Sequence, residues 1–96
     1  MQWCETENPL WGLTTNPVHE GYTPGGSTGG ESALLAMGGS MVGWGTDIGG
    51  SIRIPSHMMG LCGLKPSVGE LLRSRVSHVL TAIERASSIS RCSRVN

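Results

Sequence analysis

Apolar and polar positions follow no sustained period over residues 1–28, where Asn8-Pro9, Asn16-Pro17 and Pro24-Gly25 break the chain into turns. This stretch is expected to be irregular chain lying over a partner surface. From Gly29 the helix formers Glu31, Ala33, Leu34, Leu35, Ala36 and Met37 crowd together and Gly38-Gly39 supplies a stop, which predicts a helix over about residues 29–38. Met41 to Ile48 alternates loosely, as a short strand does, and Gly49-Gly50-Ser51 ends it. Pro55 limits any helix from Ser51, and the apolar run LCGLKPS, residues 61–67, reads as a second, buried strand closed by Pro66.

After Gly69 the pattern becomes helical: Leu72, Val76, Val79, Ile83 and Ala86 recur at spacings of four, three, four and three. Ser67 and Glu70 have the spacing of a capping box. An amphipathic helix over 70–86 is therefore expected, with a basic back, followed by a disordered Arg/Ser-rich end. Composition turns at the same seam. Thirteen of the fifteen glycines lie between Gly25 and Gly69 and none follows; two basic residues face five acidic ones up to Gly69, and five arginines face two glutamates after it. Residues 1–69 and the tail 70–96 are expected to be different units.

A 96-residue chain has room for one domain, which at this size buries only roughly two thirds of its unfolded surface. With no Phe and so many glycines the core is thin, and the chain reads as a piece of something larger. The formal net charge is zero, so no global field recruits nucleic acid or an anionic membrane. Cys4, Cys62 and Cys92 form no CxxC pair and no metal-like spacing with His, which argues against a disulfide framework or zinc site and for a reducing, cytoplasmic home. No basic leader precedes an apolar run and no stretch of about 18 apolar residues exists, so neither secretion nor a membrane span is expected.

The glycine loops carry the candidate chemistry. GGSTG, residues 25–29, matches the G-x-S-x-G elbow formally, but VHEGYTP before it is not the apolar strand that an elbow needs. Read as a phosphate-cradling loop, the same glycines place Glu31 where a lysine is required, and its charge would repel phosphate. A third reading takes two hydroxyls from separate stretches, Ser27 and Ser51, the latter in GTDIGGSIRIP, residues 45–55. A serine that attacks a carbonyl needs a base nearby and backbone N–H donors for the oxyanion. Ile48, Gly49 and Gly50 can supply donors because paired glycines let the backbone bend inward. Asp47 and Arg53 can pair across the loop and hold that curve.

Residues 24–67, PGGSTGGESALLAMGGSMVGWGTDIGGSIRIPSHMMGLCGLKPS, closely resemble the core of the amidase signature family, and NPLWGLTTNP before them resembles its lead-in in acetamidase-like and fatty-acid-amide-hydrolase-like members. The resemblance covers about residues 8–69. It implies an α/β fold with a mixed sheet covered by helices, no cofactor and no metal, and a small-molecule amide as substrate. It also implies Ser51 as the acyl-accepting nucleophile, and Ser27, after a cis peptide bond at Gly26-Ser27, as the bridging serine that relays a proton to a lysine. The N–H groups of Ile48, Gly49, Gly50 and Ser51 would form the oxyanion hole. Thr28 stands where many members have serine, and Asp47 and Arg53 would be structural supports.

The family's base is a lysine on a strand upstream of the signature, whereas the one lysine here is Lys65, at a position where the family also has a lysine that is not the base. The tail after Gly69 lacks the resemblance. The expectation is hydrolysis of carboxylic amide C–N bonds in the complete enzyme and little activity, and poor folding, in the 96-residue chain. Two rivals remain: a non-catalytic interaction fragment binding through the 72–86 seam, and an esterase that depends on Ser27. His57, six residues from Ser51, has no carboxylate placed to orient it and reads as an ordinary loop histidine. Trp3, Trp11 and Trp44 read as packing anchors, and the methionines as gap-filling core.

Overall fold

Among the described residues, which are 4–67 and the strand Ala86–Ser90 of a computed structural model, the chain order is β1 (Glu7–Asn8), β2 (Gly12–Leu13), α1 (Gly29–Ala36), β3 (Val42–Thr46), α2 (Arg53–Met58), β4 (Cys62–Leu64) and β5 (Ala86–Ser90). The lead-in is more ordered than its sequence suggests. Asn8 Oδ1 accepts the N–H of Leu10 at 2.8 Å, and Gly12 takes φ +76°, so the chain reverses and Glu7 pairs antiparallel with Leu13.

Helix α1 and strand β3 fall inside their expected ranges. The helix stops where the glycines begin: Met37 is the C-cap, and Gly38 adopts φ +85°, open to glycine at no steric cost. Pro55 limits the next helix less than its type suggests. It sits in the first turn of α2, where an N–H would have no partner inside the helix, so six residues still form a helix starting at Arg53.

The larger sheet has the order β3-β5-β4, with β5 antiparallel to both neighbours. Strands β3 and β4 therefore run the same way, and α2 lies on the connection between them. Helices and strands interleave here in a manner compatible with the α/β class. The alternation in VGWGT explains how the helices reach the sheet. A Cβ on Gly43 would strike the Glu31 side chain of α1, one on Gly45 would lie 2.6 Å from Thr28, and one on Gly63 would lie 2.5 Å from Ser56 Oγ of α2. On β3 and β4 the side turned to the helices is thus bare backbone, which lets α1 and α2 approach closely. The residues between, Trp44 and Leu64, stay exposed.

Three expectations need correction. Trp11, Trp44, Met37, Met41 and Met58, read as packing anchors and gap-filling core, are exposed, and among the described residues Met59 is the methionine that is buried. The strand at Cys62–Leu64 is exposed at all three positions rather than buried, because its glycine faces the helices and its larger side chains take the uncovered side. The expected helix over 70–86 lies outside the described residues except for Ala86, which opens β5; and within the end expected to be disordered, Ser87–Ser90 form strand. That strand supplies backbone partners to both β3 and β4, each of which would otherwise present an unpaired edge to the other.

The core is as thin as the composition implies. Leu35 and Ile52 are fully buried, with Leu61 partly buried against them, and Ala33 and Met59 nearly so. Among the described residues no helix is long and apolar enough to cross a membrane.

Candidate active site

Asp47 follows directly on β3, and its carboxylate is fully buried. Its Oδ1 accepts the Gly50 N–H at 2.7 Å and an Arg53 Nη2–H at 2.9 Å. Its Oδ2 accepts the N–H groups of Ile52 at 3.2 Å and Arg53 at 3.0 Å, and Arg53 Nε–H at 3.0 Å. One side chain therefore collects five donors from the turn that follows it and bends residues 47–53 around itself. Burial pushes this carboxyl up, but the Arg53 side chain and the N–H groups of Arg53, Ile52 and Gly50 outweigh burial and hold it well below the usual carboxylate range. The same contact raises Arg53 above the usual guanidinium value. Asp47 and Arg53 thus make the pair expected from the sequence.

The turn that results is exposed at Ile48 and Gly49 and buried at Gly50. Gly50 takes φ +123°, and a Cβ there would lie 2.7 Å from Ile54 Cδ1. Only glycine fits this position without strain. Among the described residues, the N–H groups of Ile48, Gly49 and Ser51 make no hydrogen bond, whereas that of Gly50 is turned inward to Asp47. Of the four donors read from the sequence, three are open and one is committed to the carboxylate.

Ser27 and Thr28 enter from the other glycine loop. The peptide bond between Gly26 and Ser27 is cis. Thr28 fills the space above Gly45, and its N–H donates to the Ser51 carbonyl at 3.1 Å. This bond joins the loop of Ser27 to the loop of Ser51, 24 residues later in the sequence. Both serines are half-buried, and neither hydroxyl makes a hydrogen bond among the described residues. Thr28 also accepts, through its carbonyl, the Ser32 N–H at 3.1 Å and the Ser32 hydroxyl at 2.7 Å, which ties the loop to the first turn of α1.

Other sequence candidates lie apart from this arrangement. Lys65 donates from Nζ to the Pro66 carbonyl at 3.4 Å, beside its own backbone. His57 is exposed on α2. No group of three His, Cys, Asp or Glu residues is placed to hold a metal ion among the described residues. A surface cavity of about 350 Å³ is lined by Asn16, His19, Tyr22, Thr23 and Met58, none of them among the candidate site residues. Asn16, read from the sequence only as part of a turn, is buried. Its Oδ1 accepts the N–H groups of Val18 at 2.8 Å and His19 at 3.0 Å, and its Nδ2–H donates to the Thr23 carbonyl at 3.2 Å. Thr6 is a second residue without a sequence signal: its side chain reaches the loop of Ser27 from the lead-in.

Similarity to known proteins extends over most of the chain. The family model described as Amidase matches residues 1–95. "Amidase 2" of Gibberella moniliformis is 70% identical over 71 residues, which are 74% of this chain and 14% of that protein. "Fatty-acid amide hydrolase 1" of Sus scrofa is 56% identical over 70 residues, 73% of this chain and 12% of that protein. "Acetamidase" of Emericella nidulans is 42% identical over 86 residues, 90% of this chain and 16% of that protein. The chain thus spans well under a fifth of the length of the curated relatives it matches. With the family model running over nearly every residue, and two serine-bearing glycine loops joined across one backbone hydrogen bond, the chain belongs to the amidase family.

Proposed function

We propose that these residues carry the acyl-transfer part of an amide hydrolase that acts on small-molecule carboxylic amides through a Ser-cisSer-Lys relay. Ser51 Oγ attacks the amide carbonyl carbon, and its proton passes to Ser27 Oγ as the Ser27 proton passes to a lysine amine. Collapse of the tetrahedral intermediate leaves the acyl group on Ser51 and releases the amine, which takes up a proton. Water then attacks the acyl-enzyme and frees the acid. The N–H groups of Ile48, Gly49 and Ser51 are the donors available to the developing oxyanion, and Gly50 serves as the pivot that aims them. Asp47 and Arg53 hold the turn, and no cofactor enters the scheme.

The observation that carries this reading is the Thr28 N–H bond to the Ser51 carbonyl, which sets the two hydroxyl-bearing loops side by side. In this reading the base comes from outside these 96 residues, and Lys65, whose Nζ donates to the neighbouring Pro66 carbonyl, is not assigned to it. The 96-residue chain is accordingly expected to react at Ser51 with an activated phosphonylating reagent, yet to release little or no p-nitroaniline from a p-nitroanilide. The test is covalent labelling by a fluorophosphonate with the modified residue located by mass spectrometry. Labelling abolished by Ser51→Ala and slowed by Ser27→Ala supports the assignment. Labelling that survives Ser51→Ala and vanishes in Ser27→Ala would replace it with a Ser27-dependent esterase, and rapid amide turnover by the 96 residues alone would show that no outside base is needed.

A further inference from the structure

The lead-in lies across the loop that carries Ser27 and is tied to it at three successive residues. The Cys4 carbonyl accepts the Thr23 hydroxyl at 3.2 Å, and Thr23 Oγ1 accepts the Gly25 N–H at 3.1 Å. The Glu5 backbone sits so close to Gly26 that a Cβ there would strike its carbonyl oxygen. Thr6 makes the third tie. Its Oγ1 accepts the Gly29 N–H at 3.0 Å and donates to the Gly25 carbonyl at 3.1 Å, with the Ser27 carbonyl as a longer second acceptor at 3.4 Å.

A hydroxyl has one proton and two lone pairs, so Thr6 can donate to one end of the loop while accepting from the other. Gly29 opens α1, and its N–H is one of those with no partner inside a helix. Thr28, in the N-cap position, makes no side-chain cap bond. Thr6, 23 residues away, caps the helix in its place. The Thr6 backbone is in turn held by the Thr14 N–H, which donates to its carbonyl at 2.9 Å. The approach is close enough that a Cβ on Gly29 would run into Thr6 Oγ1.

We infer that Thr6 is a positioning residue for Ser27: its hydroxyl bridges Gly25 and Gly29, closes the loop between them and fixes where Ser27 stands relative to Ser51. The inference rests on the roles proposed above for those two serines. It assigns to the lead-in a part in the reaction that its sequence does not announce.

The test uses the full 96-residue chain with Thr6→Val, which keeps the shape and loses the hydroxyl, and Thr6→Ser, which keeps the hydroxyl. Two quantities are read. One is amide hydrogen exchange of Gly29, with Ser32, bonded to the Thr28 carbonyl, as internal reference. The other is the rate of fluorophosphonate labelling at Ser51. In Thr6→Val, Gly29 exchange rises and labelling falls by about tenfold each, the size of one lost hydrogen bond, while Ser32 changes little. In Thr6→Ser both return to within about threefold of wild type. Wild-type-like exchange and labelling in Thr6→Val overturns the inference, as does failure of Thr6→Ser to restore them. If Thr6→Val unfolds, Ser32 protection is lost as well, and Thr6→Ser then decides: loss of Gly29 protection alone in that variant also overturns the clamp. A wild-type chain that never labels at Ser51 counts against the proposed function; the clamp itself is then judged on Gly29 exchange alone.

Discussion

Replacing Asp47 by Asn tests whether one buried carboxylate shapes the loop of Ser51. The aspartate oxygens share five donors, two at Oδ1 and three at Oδ2. Asparagine has one acceptor oxygen and an NH₂ group that can only donate. With its oxygen at the Oδ2 position it keeps the bonds from Ile52 and Arg53, but its NH₂ then faces the Gly50 N–H and the Arg53 guanidinium. With the amide turned over, three donors lose their acceptor instead. The better orientation therefore leaves at least the buried Gly50 N–H unpaired, at about 1–3 kcal/mol. It also weakens the remaining bonds, since hydrogen bonds to a charged acceptor are worth about 1.5–3 kcal/mol and neutral ones about 1. A total near 3 kcal/mol corresponds to roughly a hundredfold change in an opening equilibrium.

Amide hydrogen exchange at Gly50, Ile52 and Arg53 reads that equilibrium directly. Gly50 is expected to exchange between about ten and a hundred times faster in Asp47→Asn, with Ile52 and Arg53 following to a lesser extent. Arg53→Ala should do less, because its side chain is about half exposed and the carboxylate would keep three backbone donors. Gly50 exchange in Asp47→Asn within about twofold of wild type, or a larger effect from Arg53→Ala, would refute the account of the loop as built around the carboxylate.

Other predictions concern the same elements. Because the folded Asp47 carboxyl lies below its usual range, its contribution to stability is complete above the usual carboxylate value of about 4 and drains away as pH falls further. Acid unfolding followed by circular dichroism should show this component, and Asp47→Asn should lack it. Gly45→Ala should lower stability by about 1–3 kcal/mol by forcing Thr28 off the sheet, and should slow Ser51 labelling through the shifted loop. Gly30→Ala is the control within α1: nothing lies within 4 Å of the added Cβ, and denaturation should show a gain of about 0.5–1 kcal/mol from helix propensity. Asn16→Ala leaves the Val18 and His19 N–H groups without their acceptor and should cost about 1–3 kcal/mol, measured in the same denaturation series.

Local signals were enough for some of this molecule. The helix at Gly29–Ala36 and the strand at Val42–Thr46 were legible because each is carried by its own residues: helix formers closed by a glycine pair, and an alternating run. Family membership was legible in residues 24–67, and the family model and the matching relatives show it; the same resemblance singled out Ser27 and Ser51 for the reaction proposed above. The hairpin of Glu7–Asn8 with Gly12–Leu13 was not, since strands of two residues are too short to show a period.

Sequence alone also determined that the core is thin and that glycines dominate the middle of the chain, because both follow from residue types. What those glycines are for was settled only in three dimensions. Gly43, Gly45 and Gly63 come to the same face only once the strands are paired, and the space at Gly45 lets Thr28 descend beside Ser51. Tertiary structure likewise decided that Ala86–Ser90 is a strand, since its partners lie some 20 to 50 positions away. It also decided that Thr6 closes a loop 19 to 23 residues further on. Propensity and period act over a few neighbours, whereas a hydroxyl or a strand edge takes its meaning from whatever the folded backbone brings to it.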